Sequence, residues 1–329
     1  MLFSRRAVLG AAATGALSVA ATGAHAQAWP SRPITMVVPF AAGGPTDVIA
    51  RIVGEHMSRT LGQQIVIENV AGAGGTTGIT RAAGSAADGY TIMMGHMGTH
   101  GAAPALYPKL KYDPAADFAP IGLAAGTPIV IVARKDFPAA DLKAFNEYVR
   151  ANAAKLNMAH AGVGSVSHTT AVLLTSTLNA KPTLVAYRGT GPALNDLMAG
   201  TVDFMTDQIV NVAPQIEAGT IKAYAIATPE RSPALPNVPT TAEAGMPDYQ
   251  VSAWNAVFAP KGTPAPVVAK LSEAMAAALD DEGTRKRLLD LGAVIPDRAG
   301  RSPAALQALV VSEVARWTPV LKAAGVVAN

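Results

Sequence analysis

The sequence contains no cysteine, which excludes disulfide bonds and a lipid-modified N-terminal cysteine. Charged residues make up only 15% of the 329 residues, and the formal net charge is +3. The chain therefore lacks the strongly basic surface that nucleic-acid binding requires. After residue 26, no apolar run approaches the roughly 20 residues that a membrane-spanning helix needs. The composition predicts a protein that is stabilised by packing alone and has no nucleic-acid partner.

The first 26 residues have the pattern of an export signal. Ser4-Arg5-Arg6 precedes an apolar run from Ala7 to Ala24, and Ala24-His25-Ala26 has the small-x-small form of a cleavage site. The paired arginines resemble a twin-arginine signal, but ordinary secretory signals contain such pairs too, so both export routes stay open. A retained membrane anchor is the alternative, which the short run and the cleavage motif disfavour. We expect cleavage near Ala26 and a soluble periplasmic protein.

Half of the residues are apolar, and a chain of this length can build two globular lobes. Short apolar runs rich in β-branched residues alternate with amphipathic helix patterns. Residues 34–68 predict a first strand–helix–strand unit. Such alternation favours parallel sheets, in which ligands bind beyond the carboxyl ends of the strands. Further strands are predicted at 90–94, 128–132, 156–159, 183–187, 202–205 and 222–226.

The spacing of prolines and helices predicts where the lobes divide. Prolines and glycines exclude regular helix between residues 228 and 247, and the stretch from Val267 onward has a helical apolar pattern. A chain that leaves its first lobe near residue 128 and returns near residue 253 explains both features. We expect lobe 1 to comprise residues 27–128 and 253–329 and lobe 2 to comprise residues 129–252, with a ligand cleft between them.

Four strand-to-helix loops are rich in glycine and leave backbone amides uncovered at a helix start. Such amides, together with the positive end of the helix dipole, favour an anion. Turn geometry explains any one loop equally well, but four loops in alternating order point to one shared anion site. The phosphate motif G-x-x-x-x-G-K-[ST] is absent, so a carboxylate suits the site better than a nucleotide. The loops are 40–47, 71–78, 161–168 and 187–192.

Three charged side chains near these loops have two possible roles. Asp203 and Asp207 end a predicted strand, where a carboxylate can accept hydrogen bonds from a ligand hydroxyl or amine, or cap the next helix. Arg188 is the basic residue of the four loops. It can hold a carboxylate through two hydrogen bonds or pair with a surface acid. The sequence leaves both alternatives open.

Residues that suggest catalysis or metal binding do not form a known motif. Ser165 and His168 lie three apart, but the G-x-S-x-G pattern of a hydrolase is missing. His96 and His100 lie four apart, but glycines interrupt a helix there and no H-E-x-x-H pattern occurs. Gly72-Ala73-Gly74 lacks the third glycine of the dinucleotide motif G-x-G-x-x-G. We expect no enzyme, no metal and no cofactor.

Motifs along the whole mature chain resemble those of the Bug family, the periplasmic receptors of tripartite tricarboxylate transporters. This resemblance implies an α/β, two-lobed periplasmic-binding-protein fold (Venus flytrap, type II-like) with a mainly parallel sheet in each lobe and the ligand cleft between them. The motifs are Trp29-Pro30-Ser31-Arg32-Pro33-Ile34, Pro39-Phe40-Ala41-Ala42-Gly43-Gly44 with Asp47 and Arg51, Gly72-Ala73-Gly74-Gly75, Asp88-Gly89-Tyr90-Thr91, Pro104-Ala105-Leu106-Tyr107, Tyr187-Arg188-Gly189, Leu197-Met198-Ala199-Gly200 with Val202-Asp203, and Pro236-Asn237-Val238-Pro239-Thr240.

The resemblance also implies which residues hold the ligand. In such receptors, backbone groups of the first two strand–helix loops hold one ligand carboxylate, and the second lobe selects the rest of the ligand. Where many relatives read Thr-His-Ala-x-Asn-Pro, this chain has Ala103 in place of the asparagine, so a contact from that amide is not expected. The candidate ligand-binding residues are Phe40, Ala42, Gly43, Gly44, Thr46, Gly74, Gly75, Thr76, Thr99, Ser165, His168, Arg188, Gly189, Thr190 and Asp207.

The expected function is capture of a small organic anion, a mono- or dicarboxylate, for membrane transporter subunits. We expect a monomer. A periplasmic sensor component that presents the bound carboxylate to a membrane kinase is one alternative, and an exported enzyme is another. The loops suit citrate-like, dicarboxylic, aromatic and amino-acid ligands equally well, so the identity of the carboxylate stays open.

Overall fold

The computed structural model describes residues 29–326. The predicted signal peptide, residues 1–26, lies outside the described residues. Across the described part of the chain, none of the helices combines the length and the apolar character of a membrane span.

Strands and helices alternate along the chain, as the sequence predicts. The strands are β1 Ile34–Val38, β2 Ile65–Asn69, β3 Thr91–His96, β4 Phe118–Arg134, β5 Asn157–His160, β6 Thr183–Ala186, β7 Phe204–Gln208, β8 Ile221–Ile226 and β9 Ser252–Pro260. The helices are α1 Pro45–Leu61, α2 Thr76–Ala83, α3 Ala103–Leu106, α4 Leu142–Asn152, α5 Val166–Leu178, α6 Thr190–Met198, α7 Ile209–Glu217, α8 Ala265–Asp280, α9 Glu282–Asp290 and α10 Pro303–Ala323.

The strands form two mainly parallel sets, one in each lobe. β1 pairs in parallel with β2 and β3, and β5 pairs in parallel with β6 and β7. The antiparallel pairs all involve β4 or β9, which join the two sets in the order β2-β1-β3-β9-β4-β7-β5-β6. β7 and β8 run in the same direction, as predicted, but they are not neighbours. β4 lies between them, so each pairs antiparallel with β4.

The 17-residue strand β4 passes from one lobe to the other. Its first part, up to Pro128, pairs with β9, and its pairing with β7 and β8 starts at Ile129 and Val130. The β4–β9 ladder ends at the pair of Pro128 with Ser252. We therefore propose that lobe 1 comprises residues 29–128 and 253–326 of the described chain, and lobe 2 residues 129–252.

The central strands are buried on both faces, and this packing fixes the ends of the strands from which the cleft loops start. Ile129 to Ala133 of β4 are fully buried, as are Ile34 and Met36 of β1. Because helices cover both faces of such strands, near-continuous apolar runs are favoured there over alternating ones. In lobe 2, Phe145 packs edge-on against Phe204 with ring centroids 5.4 Å apart.

A buried hydrogen-bond network lies where β4 and β9 cross between the lobes. The side chain of Asn255 in β9 accepts a bond from Thr46 at the start of α1, at 3.2 Å. Its amide donates to Gln208 at 2.8 Å and to Thr127 at 3.3 Å. Thr127 donates to Gln208 at 2.7 Å. These four residues connect both lobes, and each is almost completely buried.

Replacing Asn255 by Ala should destabilise the protein, because Thr46 and Gln208 would lose partners inside the fold. A buried polar group without a partner costs about 1–3 kcal/mol, so we expect the free energy of unfolding to fall by at least about 2 kcal/mol. Urea titration followed by circular dichroism measures this change. The exposed Asn237→Ala is the matched control and should change the stability little. Equal unfolding midpoints for both variants would contradict the role given to the network.

Candidate ligand-binding site

A cavity with about 280 Å³ of empty volume lies between the lobes, beyond the carboxyl ends of β1, β3, β5, β6 and β7. The centre of a water molecule can occupy only about 20 Å³ of this space, which is room for about one water. Small-molecule sites typically measure roughly 300–1,000 Å³, so the lobes stand close together in this arrangement and must separate before a ligand enters. Its lining residues are Phe40, Gly44, Pro45, Thr46, His96, Ala161, Ser165, Val166, Ser167, Thr190, Asp207 and Gln208.

Four helices begin at the wall of this cavity. Gly44 precedes α1, Ser165 precedes α5 and Gln208 precedes α7, while Thr190 is the first residue of α6. Each helix start carries unpartnered N–H groups and the equivalent of about half a positive charge. Within residues 29–326, the lining includes no lysine or arginine. The positive potential in the cavity therefore comes from the backbone, and it favours an anion.

The loop before α1 is fixed by a buried carboxylate. Asp47 accepts hydrogen bonds from the Gly43 N–H at 3.0 Å, from Arg51 at 2.9 Å and from Asn69 at 2.9 Å. Burial alone would raise the pKa of Asp47, but these hydrogen bonds outweigh it and hold the pKa below its usual value. Asn69 also donates to the Phe40 carbonyl oxygen at 3.0 Å. This arrangement presents Phe40 and Gly44 to the cavity.

The loop before α5 is fixed by hydroxyl and imidazole groups. Ser165 caps α5 by accepting a hydrogen bond from the His168 backbone N–H at 3.1 Å. Nδ1 of His168 accepts a hydrogen bond from the Gly164 N–H at 3.3 Å, and Nδ1 of His160 accepts one from the Gly162 N–H at 3.1 Å. Burial lowers the pKa of His168 to about 3, so its ring is neutral. Because Ser165 is bonded to the backbone of His168 and not to its ring, the two do not form a nucleophile–base pair.

Contacts between the loops of the two lobes close the cavity. The Ala41 N–H donates to the Arg188 carbonyl oxygen at 3.1 Å. The Tyr107 hydroxyl lies 2.8 Å from the Ala73 carbonyl oxygen and 2.6 Å from that of Val163. Gly74 approaches Val163 so closely that a Cβ atom at position 74 would overlap the Val163 carbonyl oxygen. Glycine at this position is thus needed for the lobes to meet.

His96, at the end of β3, lines the cavity as a neutral hydrogen-bond donor. Its Nδ1 accepts a hydrogen bond from the Thr99 N–H at 3.1 Å, so Nε2 carries the proton. Burial lowers its pKa to about 4, and its ring stacks on Phe40 with centroids 4.9 Å apart. The ring of His100 stacks on the ring of Phe258, with centroids 4.1 Å apart. In the described part of the chain, no three metal-binding side chains lie together.

Among the described residues that line the cavity, Asp207 is the one acidic residue, and it is almost completely buried. One of its oxygens, Oδ2, accepts a hydrogen bond from the Asn211 side chain. The other oxygen, Oδ1, has no hydrogen-bond partner within residues 29–326. Burial raises the pKa of Asp207 to about 7, although the hydrogen bond from Asn211 and the nearby donor groups of the Gln208 backbone and Thr190 act in the opposite direction.

Comparison with known protein families finds one family model that matches most of the chain. The model of the tripartite tricarboxylate transporter family receptor matches residues 49–326. The chain belongs to this receptor family.

Solved structures of similar proteins share the fold and confirm the resemblance to Bug proteins. MatC from Rhodopseudomonas palustris, solved with bound malate, is 52% identical to this receptor, with a TM-score of 0.87 over 89% of this chain and 99% of MatC. The periplasmic binding protein BugD is 44% identical, with a TM-score of 0.88 over 92% of this chain and all of BugD. A second R. palustris protein, solved with adipate, is 35% identical, with a TM-score of 0.86 over 91% of this chain and 99% of that protein. The two-lobed periplasmic-binding-protein fold is confirmed.

The receptor brings some of the predicted site residues together at the cavity and places the others outside its lining. Phe40, Gly44, Thr46, Ser165, Thr190 and Asp207 line the cavity. Gly74 and the exposed Arg188 line a neighbouring hollow beside Tyr107. The remaining candidates line neither space, and they are Ala42, Gly43, Gly75, Thr76, Thr99, His168 and Gly189.

Three polar lining residues, His96, Ser167 and Gln208, were missed by the sequence reasoning as ligand contacts. His96 ends β3 and Gln208 ends β7, and the rule that ligands bind beyond the carboxyl ends of parallel strands points to both positions. In the sequence, His96 was considered only as a possible metal ligand together with His100. Asp203 has a structural role, because it accepts a hydrogen bond from Arg134 at 3.1 Å and one from the Asn157 N–H at 2.8 Å.

Replacing Asp207 by Asn should raise the thermal stability of the ligand-free receptor most at high pH. The pKa of Asp207 is raised from an ordinary 3.8 to about 7 in the folded state. Its destabilising contribution is therefore absent below the unfolded pKa, grows as pH rises, and is complete above the folded pKa. We expect a larger gain in Tm at pH 8 than at pH 5, measured by thermal unfolding. The control is Asp248→Asn at an exposed position, and a gain for Asp207→Asn that is independent of pH would contradict this account.

Proposed function

We propose that this protein is a periplasmic receptor that closes around a small dicarboxylate and presents it to the membrane subunits of a tripartite tricarboxylate transporter. The observation that carries the proposal is the convergence of four helix starts on one small cavity without a basic side chain. The bound malate of MatC and the adipate of the second R. palustris protein support a dicarboxylate. Membership of the receptor family supports the transporter subunits as partners.

The chemistry of the lining favours a carboxylate over a phosphate. Burying an anion costs several kcal/mol unless hydrogen bonds replace its water shell. Amides at the helix starts, the hydroxyls of Thr46 and Thr190, and Nε2 of His96 can supply these bonds. Phosphate sites usually add a lysine or arginine, and Arg188 lies outside this cavity in the neighbouring hollow. We propose that a ligand carboxylate lies against the starts of α1 and α5.

We further propose a monomeric receptor without enzymatic activity that is exported by the segment 1–26. The absence of enzymatic activity is supported by the hydrogen bond between Ser165 and the His168 backbone, because it leaves the Ser165 hydroxyl without a base. The export segment is supported by its sequence pattern. Incubation of the receptor with its ligand should return the ligand chemically unchanged.

Isothermal titration of the mature chain with small carboxylates tests the proposal. We expect at least one of succinate, malate, adipate and citrate to bind with a Kd in the micromolar range or below. Succinamide, which has the shape of succinate without its charges, should give no heat, and inorganic phosphate should bind poorly. Silence across all the carboxylates would contradict the proposal, as would equal affinity for succinamide and succinate.

Gly74→Ala should weaken ligand binding by blocking closure. The added methyl group would overlap the Val163 carbonyl oxygen, a backbone atom of lobe 2. We expect the Kd for the best carboxylate to rise at least tenfold. Gly62→Ala is the matched control, because φ is +67° at Gly62 and +59° at Gly74 while the space beyond Gly62 is empty. Equal affinities for the two variants would show that contact between the loops plays no part in binding.

A further inference from the structure

Asp207 places a carboxyl group in a cavity whose helix starts favour a bound anion. If this carboxyl group were ionised, its negative charge would repel the ligand. Asp207 stands at the end of β7, and its Oδ1 has no partner within residues 29–326. Asn211 donates to Oδ2 from the first turn of α7. A buried carboxyl oxygen without a partner is costly in a ligand-free protein, which suggests that a ligand completes its hydrogen bonding.

The titratable groups on the elements around the cavity offer Asp207 no positive charge. His96 from β3 and His168 from α5 are neutral, because burial lowers their pKa values to about 4 and about 3. His160 lies beside His168, with ring centroids 4.8 Å apart, and burial lowers its pKa too. β4 places Val130 opposite Asp207. From these elements, then, nothing within the described chain neutralises an ionised Asp207.

The remaining charges near the cavity are already engaged or lie outside it. On α1, Asp47 is paired with Arg51 at 2.9 Å, so this helix start adds no net side-chain charge. Arg188, in the loop before α6, is exposed and faces the neighbouring hollow. α6 adds the hydroxyl of Thr190, and α7 adds the amide of Asn211.

The charge balance of the filled cavity determines the state of Asp207. Four helix starts, each equivalent to about half a positive charge, balance about two negative charges. A dicarboxylate dianion supplies both. An ionised Asp207 would add a third negative charge in a dry site, and like charges at such short range disfavour ionisation.

We propose, on the basis of the receptor function above, that Asp207 binds the ligand as a neutral carboxylic acid and donates its O–H to a ligand carboxylate. The dicarboxylate dianion is then taken up together with one proton. The proton comes from solvent, resides on Asp207 in the closed complex and returns to solvent on release. Binding therefore weakens as pH rises.

The raised pKa of Asp207, about 7, fixes the pH range of this effect. Below pH 7 the free receptor already holds the proton, so affinity changes little. Above pH 7 binding must draw the proton from solvent, and the Kd rises by up to about tenfold per pH unit. Titration with succinate and malate from pH 6.5 to pH 9 measures this slope. At pH 8, titrations in buffers of different ionisation enthalpy should show uptake of about one proton per ligand.

Asp207→Asn provides the matched variant, because its amide donates a hydrogen bond but cannot ionise. We expect its Kd for succinate to stay flat from pH 6.5 to pH 9, whereas the wild-type Kd rises over the same range. Asp248→Asn, at an exposed position, should keep the wild-type pH profile. If Asp207→Asn fails to fold, the buffer dependence of the wild-type heats still decides the question.

The same titrations separate failure of this inference from failure of the proposed function. A wild-type receptor that binds a dicarboxylate with a flat pH profile and no proton uptake overturns the role of Asp207 and leaves the receptor function intact. A flat profile with malate preferred over succinate, and loss of that preference in Asp207→Asn, would instead show an ionised Asp207 accepting the ligand hydroxyl. Absence of binding to any dicarboxylate at any pH would refute the receptor function itself.

Discussion

The structure depends on one physical requirement: a negative charge leaves water only where hydrogen-bond donors replace its hydration shell. Here the lining offers helix starts and, from the described residues, no lysine or arginine. A backbone amide can approach a ligand only where no side chain intervenes, which explains why Gly44 stands before α1 and why the loops of both lobes are rich in glycine. A lysine would bind many anions through a flexible point charge, whereas fixed amides select a carboxylate by its position.

The same requirement explains the polar residues behind the cavity. Three buried histidines, His96, His160 and His168, each accept a hydrogen bond from a backbone N–H through Nδ1, which fixes both the tautomer of the ring and the path of the loop. Burial keeps these rings neutral near pH 7. Their charge therefore cannot substitute for the helix starts. His96 therefore offers the cavity one donor, its Nε2–H. The hydrogen bond between Gly164 and His168 fixes the loop that carries Ser165.

Much of this arrangement can be predicted from sequence, because the features that form it are local. Glycine runs after apolar β-rich segments predict loops at helix starts, and Pro45 and Ser165 mark the first turns of α1 and α5. The motifs also predict the two-lobed fold. The insertion of β4 between β7 and β8 could not be predicted, because pairing of strands distant in sequence leaves no local signal. His96 and Gln208 were missed for the same reason, since a single polar residue at a strand end becomes a ligand contact only when other strands place a cavity there.

The network around Asn255 shows why binding and closure are expected to be one event. Thr46 and Gln208 both line the cavity, and both bond to Asn255, which lies in a strand that joins the lobes. Thr46 and Asn255 belong to proposed lobe 1 and Gln208 to proposed lobe 2, so the bond from the Asn255 side chain to Gln208 joins the two lobes beside the cavity. A ligand that holds Thr46 and Gln208 from the cavity side stabilises the same arrangement. Under the proposed receptor function, a ligand that binds both groups favours the closed arrangement by as much as its affinity for that arrangement exceeds its affinity for the open one.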